Sequence, residues 1–400
     1  MPATAAAATH ERTDRPARIP EVDALRGFAL LGILLVNATV MASPYAAAGA
    51  VDPDTTTFDR AAEGVVQTLL VGKFYLLFSF LFGYSFTLQQ DSAAREGASA
   101  VPRMLRRSLG LLVLGLLHAV LLYTGDILMT YALLGLVLVA ARNCPPGTAL
   151  RAARVVYGCA SALLLLTGLG SLFMSDAEAA ELTALPPEFA TLVADYRGDP
   201  ASVVRANLGQ LPDTLLAILL MGGFVLTAFL TGLYCGKRRL LADTGGYAAR
   251  MRRICVLGVA VGLPGSLFMA LATGGALGPR WSLLGSVVGM VTAPALTAAY
   301  VCGMLLFMRT ARGGRTAELL APAGRMALTN YLSQSLVMAL VFTAYGLALY
   351  DRVGTATVVL GALVLYAAQL ALSKHLMARY RYGPVEWLLR AVTLARLPRG

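Results

Sequence analysis

Residues 107–142 read RSLGLLVLGLLHAVLLYTGDILMTYALLGLVLVAAR, and between the two terminal arginines the sole acid is Asp126 and the sole imidazole His118. Two apolar runs, 107–124 and 126–142, meet at Gly125–Asp126. A helix rises about 1.5 Å per residue and the hydrocarbon core of a bilayer is about 30 Å thick, so each run is long enough to cross it. The stretch reads as a tight transmembrane hairpin. Working outward, apolar runs of similar length recur near 24–42, 64–88, 153–174, 214–236, 254–273, 282–308, 322–345 and 353–376, about ten spans in all. The composition agrees: of 400 residues 57% are hydrophobic and 14% charged, where soluble domains carry roughly 25% charged residues. The expected fold class is all-α, a polytopic membrane helix bundle.

The net charge of +11 taken alone would suit a nucleic-acid partner, but the basic residues stand in short clusters between the spans. With the N-terminus inside, the inner segments hold 27 of the 33 Lys and Arg and 9 of the 22 Asp and Glu. The outer segments hold five Arg and 13 acids, and Lys73 lies within a span. The balance is +18 inside against −8 outside, the asymmetry of the positive-inside rule. The topology is therefore N-in and C-in, with lipids as partners and no nucleic acid. Residues 1–20, polar and Ala-rich, read as a disordered cytoplasmic tail. Residues 21–378 read as one transmembrane domain whose sizeable outer loop covers about 175–213. Residues 379–400 read as an amphipathic cytoplasmic-face tail. In it Pro384 suits a first helical turn, and Trp387, Leu388, Ala391 and Leu394 form an apolar face beside Arg390 and Arg396, as in an interfacial helix. Five Cys and three His show no metal-ligand spacing, so no metal is expected.

An ionisable or amide group inside a span is costly and marks a site candidate. Asn37 lies roughly 20 Å and His118 roughly 16 Å from the inner ends of their spans, while Lys73 lies roughly 13 Å below the outer end of its own. The three can share one level near mid-membrane. Asp126, at the turn above His118, is the acid best placed to orient that imidazole. Each also has a structural reading: Lys73 snorkelling to carbonyls, His118 as a neutral core histidine, Asn37 as helix glue. In span nine Asn330 and Gln334 belong to a polar stripe that suits either a lined cavity or helix packing. At the inner edge Asp23 and Arg26 are neighbours on one helical face, and Arg106, Arg107, Arg325 and Arg379 complete a basic mouth able to hold phosphates.

Five ordered motifs carry a family resemblance: EVDALRGFALLGILLVN at 21–37, KFYLLFSFLFGYSF at 73–86, LHAVLLYTGDILMTYALLGL at 117–136, GRMALTNYLSQSL at 324–336 and RYGPVEWLLRAVTL at 381–394. Together they resemble the YeiB-like family of bacterial inner-membrane proteins, a domain of unknown function. The D-x-x-R-G of Asp23–Gly27 followed by Asn37 is also similar, more distantly, to the transmembrane acyltransferase superfamily that includes heparan-glucosaminide N-acetyltransferase. That resemblance implies an acyl-CoA co-substrate entering from the cytosol and an acceptor, a small molecule or glycan, met from the other side. The histidine that follows the span-one Asn in the lysosomal acetyltransferases has no counterpart between Ala38 and Gln67.

The reading that follows is an acyltransferase-like membrane protein, with His118, tuned by Asp126, as general base, Asn37 and Lys73 as oxyanion donors, and Asp23, Arg26, Arg325, Asn330 and Gln334 as binding residues. A transporter or export factor using the same groups for a solute or protons, and a non-catalytic membrane subunit, are the rival classes. The acyl group, the acceptor and the oligomeric state are left open.

Overall fold

The computed structural model describes residues 19–48, 50, 52, 54–184, 189–242 and 246–398; residues 1–18 of the expected tail lie outside them. The described residues form helices and no strand. The chain enters on α1 (Pro20–Ala42), with proline in its first turn, and continues through the short α2 (Pro44–Ala48), α3 (Thr57–Leu69), α4 (Phe74–Arg95), α5 (Ala100–Leu121), α6 (Leu128–Ala140) and α7 (Pro146–Gly170). Three short helices follow, α8 (Asp176–Thr183), α9 (Phe189–Arg197) and α10 (Pro200–Gly209). The chain then runs through α11 (Leu211–Lys237), α12 (Ala248–Thr273), α13 (Arg280–Met308), α14 (Ala311–Arg325), α15 (Ala327–Phe342), α16 (Thr355–Arg379) and α17 (Pro384–Leu394).

Eight helical segments among the described residues are long and apolar enough to cross a membrane, and two shorter apolar ones, Leu128–Asn143 and Ala327–Phe342, fill the remaining expected positions. Both ends of the described chain meet at one end of the bundle, where Ile19 and Asp23 share a cavity wall with Arg381 and Tyr382. An even number of crossings requires this. We term that end inner and the opposite one outer. α1 is 67% buried over its apolar window, whereas the other spans are 17–39% buried, so α1 runs through the middle and the rest turn leucine and valine outward, as a lipid-facing surface does.

Three segments differ from the sequence expectation. The span expected at 64–88 is broken: α3 ends at Leu69, Gly72 takes a φ of +83°, and α4 resumes at Phe74. That left-handed turn is one glycine adopts without a Cβ clash. The inner loop expected at 309–325 is α14, begun by a Thr310 side-chain cap on the Gly313 amide and packed along α1 through Leu320, so span nine begins only at Ala327. The outer loop near 175–213 is largely helical, with reciprocal caps at Ser175–Glu178 and Asp199–Ser202. α9 and α10 sit on the bundle as a cap. Arg197 donates to the carbonyls of Tyr350 and Asp351 at 2.7 and 2.8 Å, and Asn207 donates to the Val120 carbonyl at 3.0 Å.

α17 starts at Pro384 as expected, but Leu389 is the residue it buries, against Gly110 of α5. Trp387 and Leu388 stand on its exposed face. Glu386 holds it in place by accepting from the Leu328 amide at 2.6 Å, the Thr329 amide at 3.0 Å and the Thr329 hydroxyl at 2.5 Å. It thereby caps the otherwise orphaned first amides of α15. Glu386→Ala is expected to lower stability by about 1–2 kcal/mol and to expose the C-terminal tail to protease. Thermal unfolding and limited proteolysis in detergent check this; unchanged cleavage at the tail would contradict it.

Candidate functional site

The α5–α6 hairpin places His118 and Asp126 together. His118 is in the last turn of α5, Asp126 in the turn that starts α6, and His118 Nδ1 lies 2.9 Å from Asp126 Oδ1 with both side chains almost fully buried. Asp126 Oδ2 accepts the Met129 amide at 2.7 Å, which anchors the carboxylate at the α6 N-terminus. The α5 backbone can approach this closely because residue 115 is glycine: a Cβ there would stand 2.7 Å from Asp126 Oδ2. The imidazole packs against Tyr331 of α15, with ring centroids 5.0 Å apart, and edge-on to Tyr123 at 6.3 Å. His118 Nε2 is buried and makes no hydrogen bond.

Two cavities of about 430 Å³ each reach this cluster from opposite ends. The inner one carries Arg26, Arg103, Arg107, Arg325 and Arg390. The outer one carries Asn37, Asp126, Gln210, Asp213 and Thr214 and no basic residue. Ile33, Ile127 and Tyr331 line both, so the two are back to back across one thin wall. A further inner cavity of about 470 Å³ adjoins the first through Arg26, Arg325 and Tyr382. The inner end is thus a basic basin and the outer end a polar, acidic one, and fields of this kind draw ligands of opposite sign.

The expected site residues divide between these places. Asn37 and Asp126 face the outer cavity, and His118 stands behind Asp126 without lining either cavity. Lys73 is fully buried but donates to the Gln67 carbonyl at 3.2 Å. That carbonyl belongs to the last turn of α3, so the ammonium closes the C-terminal end of the broken span, where a cation is favourable, and it lines none of these cavities. Arg26 pairs with Asp23 at 2.8 Å and also donates to the Ser85 hydroxyl. Arg325 reaches the inner cavity and donates to the Arg381 carbonyl at 3.4 Å. Asn330 bonds the Ala323 carbonyl and the Ser373 hydroxyl at 3.1 and 3.0 Å. Gln334 bonds Gln369 at 2.7 Å. Both are used between α15 and α16, away from the cavities. Arg103, bonded to Glu96 at 2.8 Å, holds that carboxyl below its usual range, and Arg106 docks α17 through the Thr393 carbonyl at 3.0 Å.

Sequence reasoning passed over Tyr331, Ile33 and Ile127, which form the wall, and Gln210 and Asp213, which begin α11 at the outer cavity. A tyrosine or isoleucine in an apolar run gives no charge signal, and Asp213 reads as one loop acid among several.

Residues 235–396 match the family model described as "Protein of unknown function (DUF418)". The chain is 29% identical over 391 residues to uncharacterized protein YxaH of Bacillus subtilis, covering 94% of each chain. It is 29% identical over 396 residues to uncharacterized protein YeiB of Escherichia coli, covering 93% of this chain and 95% of the relative. The resemblance to the YeiB-like family holds over nearly the whole chain. A 39.9 kDa protein encoded in the amylase 3′ region of Bacillus acidopullulyticus is 27% identical over 381 residues, at 95% and 94% coverage. The family match begins at the last turn of α11 and runs through α12 to α17, and so includes Tyr331, Glu386 and Arg390. The hairpin with His118 and Asp126 lies in the part covered by the relatives alone.

Proposed function

We propose that this protein is an acyltransferase of the bacterial cytoplasmic membrane, moving an acyl group from a cytosolic acyl-CoA to a hydroxyl or amine acceptor at the outer side. The observation that carries the reading is the shared wall: a basic cavity from one end and a polar cavity from the other meet at Tyr331 beside His118–Asp126. The charge asymmetry of the loops supports a cytosolic position for the basic cavity.

In this scheme the thioester lies at the inner face of the wall, drawn there by the arginine field. The acceptor enters the outer cavity against Asp126 and Asn37. Its hydroxyl or amine proton passes to the Asp126–His118 pair as its oxygen or nitrogen bonds to the thioester carbonyl carbon. The C–S bond breaks, the CoA sulfur takes that proton back from the pair, which is thereby regenerated, and CoA leaves as the thiol on the inner side. Asn37 and the Tyr331 hydroxyl are the donors for the oxyanion. Lys73, whose ammonium is engaged by Gln67, drops out of that role. Purified protein is expected to bind acetyl-CoA with a Kd on the order of micromolar, as read by calorimetry. Absence of binding would remove the acyl-donor reading.

The second reading, transport, rests on the broken second span, since discontinuous helices line substrate sites in many carriers. It requires solute flux coupled to protonation of the same pair, with no thioester consumed.

A further inference from the structure

The inner cavity brings five arginines to one wall system, and their partners separate them. Arg26 is matched by Asp23 at 2.8 Å and Arg103 by Glu96 at 2.8 Å. The remaining carboxylate of the cavity, Glu386, is consumed by the α15 amides. Arg107 and Arg390 have no carboxylate within ion-pair distance among the described residues. Each is instead held by an aromatic ring: Arg107 lies 5.8 Å from the centroid of Phe82, and Arg390 lies 5.0 Å from that of Tyr382. Arg107 Nε is shielded from solvent and makes no hydrogen bond. A guanidinium kept in a partly apolar wall with no carboxylate in contact is stabilised by an added anion, and its planar fork can hold a phosphate through two parallel hydrogen bonds.

The rest of the cavity describes the other half of the ligand. Beyond the arginines its lining turns apolar, through Phe78, Phe82, Leu111, Leu128 and Ile33, up to the Tyr331 wall. A ligand filling it has a phosphoester at one end and a slender, less polar arm at the other. We infer that Arg107 of α5 and Arg390 of α17 form a two-armed clamp for the phosphoester of the inner ligand, which makes the C-terminal helix part of the binding site. The identity of that ligand as acyl-CoA rests on the acyl-transfer reading; the clamp also suits the phosphate of an anionic lipid headgroup. Glu386 acquires a purpose in this account, because capping α15 is what brings Arg390 over the cavity.

The test uses the full-length protein in detergent micelles, with acetyl-CoA and phosphatidylglycerol as separate titrants and S-acetyl-N-acetylcysteamine, a thioester without phosphates, as the neutral probe. Arg107→Gln and Arg390→Gln are each expected to weaken acetyl-CoA binding at least tenfold while leaving the neutral thioester unchanged. Arg312→Gln, which removes an equal charge from the exposed face of α14, is expected to stay within twofold of wild type. Arg390 sits on a surface helix, so its variant reports even if Arg107→Gln fails to fold. If acetyl-CoA does not bind but phosphatidylglycerol does, in an Arg107- and Arg390-dependent manner, the clamp stands and the acyl-donor reading falls. Equal binding of acetyl-CoA by wild type and both variants overturns the clamp alone. Binding of neither phosphoester by wild type overturns both.

Discussion

Asp126→Asn is expected to leave the protein folded and able to bind acetyl-CoA, yet to lower acyl transfer by about 10²- to 10⁴-fold, the usual contribution of a positioned acid–base group. The amide is nearly isosteric and can still accept the Met129 amide now bonded at 2.7 Å, so the α6 N-terminus keeps its anchor. What it cannot do is carry the charge that stabilises a protonated His118, 2.9 Å away. His118→Gln should produce a loss of the same size, and the double variant should be no worse than either single one, because the two groups act as one unit. Thiol release from acetyl-CoA in membranes that retain native acceptors measures this. Full turnover in both single variants would place the base elsewhere, and additive losses would separate the two roles.

Gly232→Val should disrupt the bundle strongly. α4 and α11 touch backbone to backbone: a Cβ at Gly232 would stand 2.1 Å from the Phe80 carbonyl oxygen, and one at Gly83 would stand 2.1 Å from the Phe229 carbonyl oxygen. In lipid the attraction between helices comes from such close packing, not from hydrophobic expulsion of water. Forcing the backbones apart by the width of a side chain therefore forfeits the whole seam, including the stacked Phe82 and Phe229 rings at 4.7 Å. A loss of about 3 kcal/mol or more is expected, visible as a collapse of monodisperse yield and of the thermal transition in detergent. Gly158 of α7, which has open space at its Cβ, is the control: Gly158→Ala should be neutral within error.

The ten apolar segments were legible because length and hydropathy alone decide whether a helix can cross a bilayer. The break in the second was not, because Leu69, Leu70 and Val71 keep the run apolar while the backbone turns at Gly72; hydropathy carries no information about φ. The pairing of His118 with Asp126 was legible because eight residues across a tight hairpin bring them face to face. Lys73 shows the limit of that logic. Depth was argued from the rise per residue, but the side chain turns to the Gln67 carbonyl, and depth says nothing about direction. The Asn330–Gln334 stripe pointed equally to a cavity and to packing, and its partners Gln369 and Ser373 lie in a later apolar run with no spacing that links the two. The shared wall was invisible for a related reason: Ile33, Ile127 and Tyr331 come from three different helices and look like ordinary core residues in each.

The claim that donor and acceptor meet from opposite sides at Tyr331 is tested most directly with inside-out membrane vesicles from cells overproducing the protein, given acetyl-CoA labelled in its acyl group. Such vesicles present the α17 face outward and keep native acceptors on the enclosed side. The expected result is free CoA thiol outside and an equal amount of labelled, acylated product protected within, both lost in vesicles carrying Asp126→Asn. Labelled product on the outer surface, or protected label at the wild-type level in the Asp126→Asn vesicles, would contradict the account.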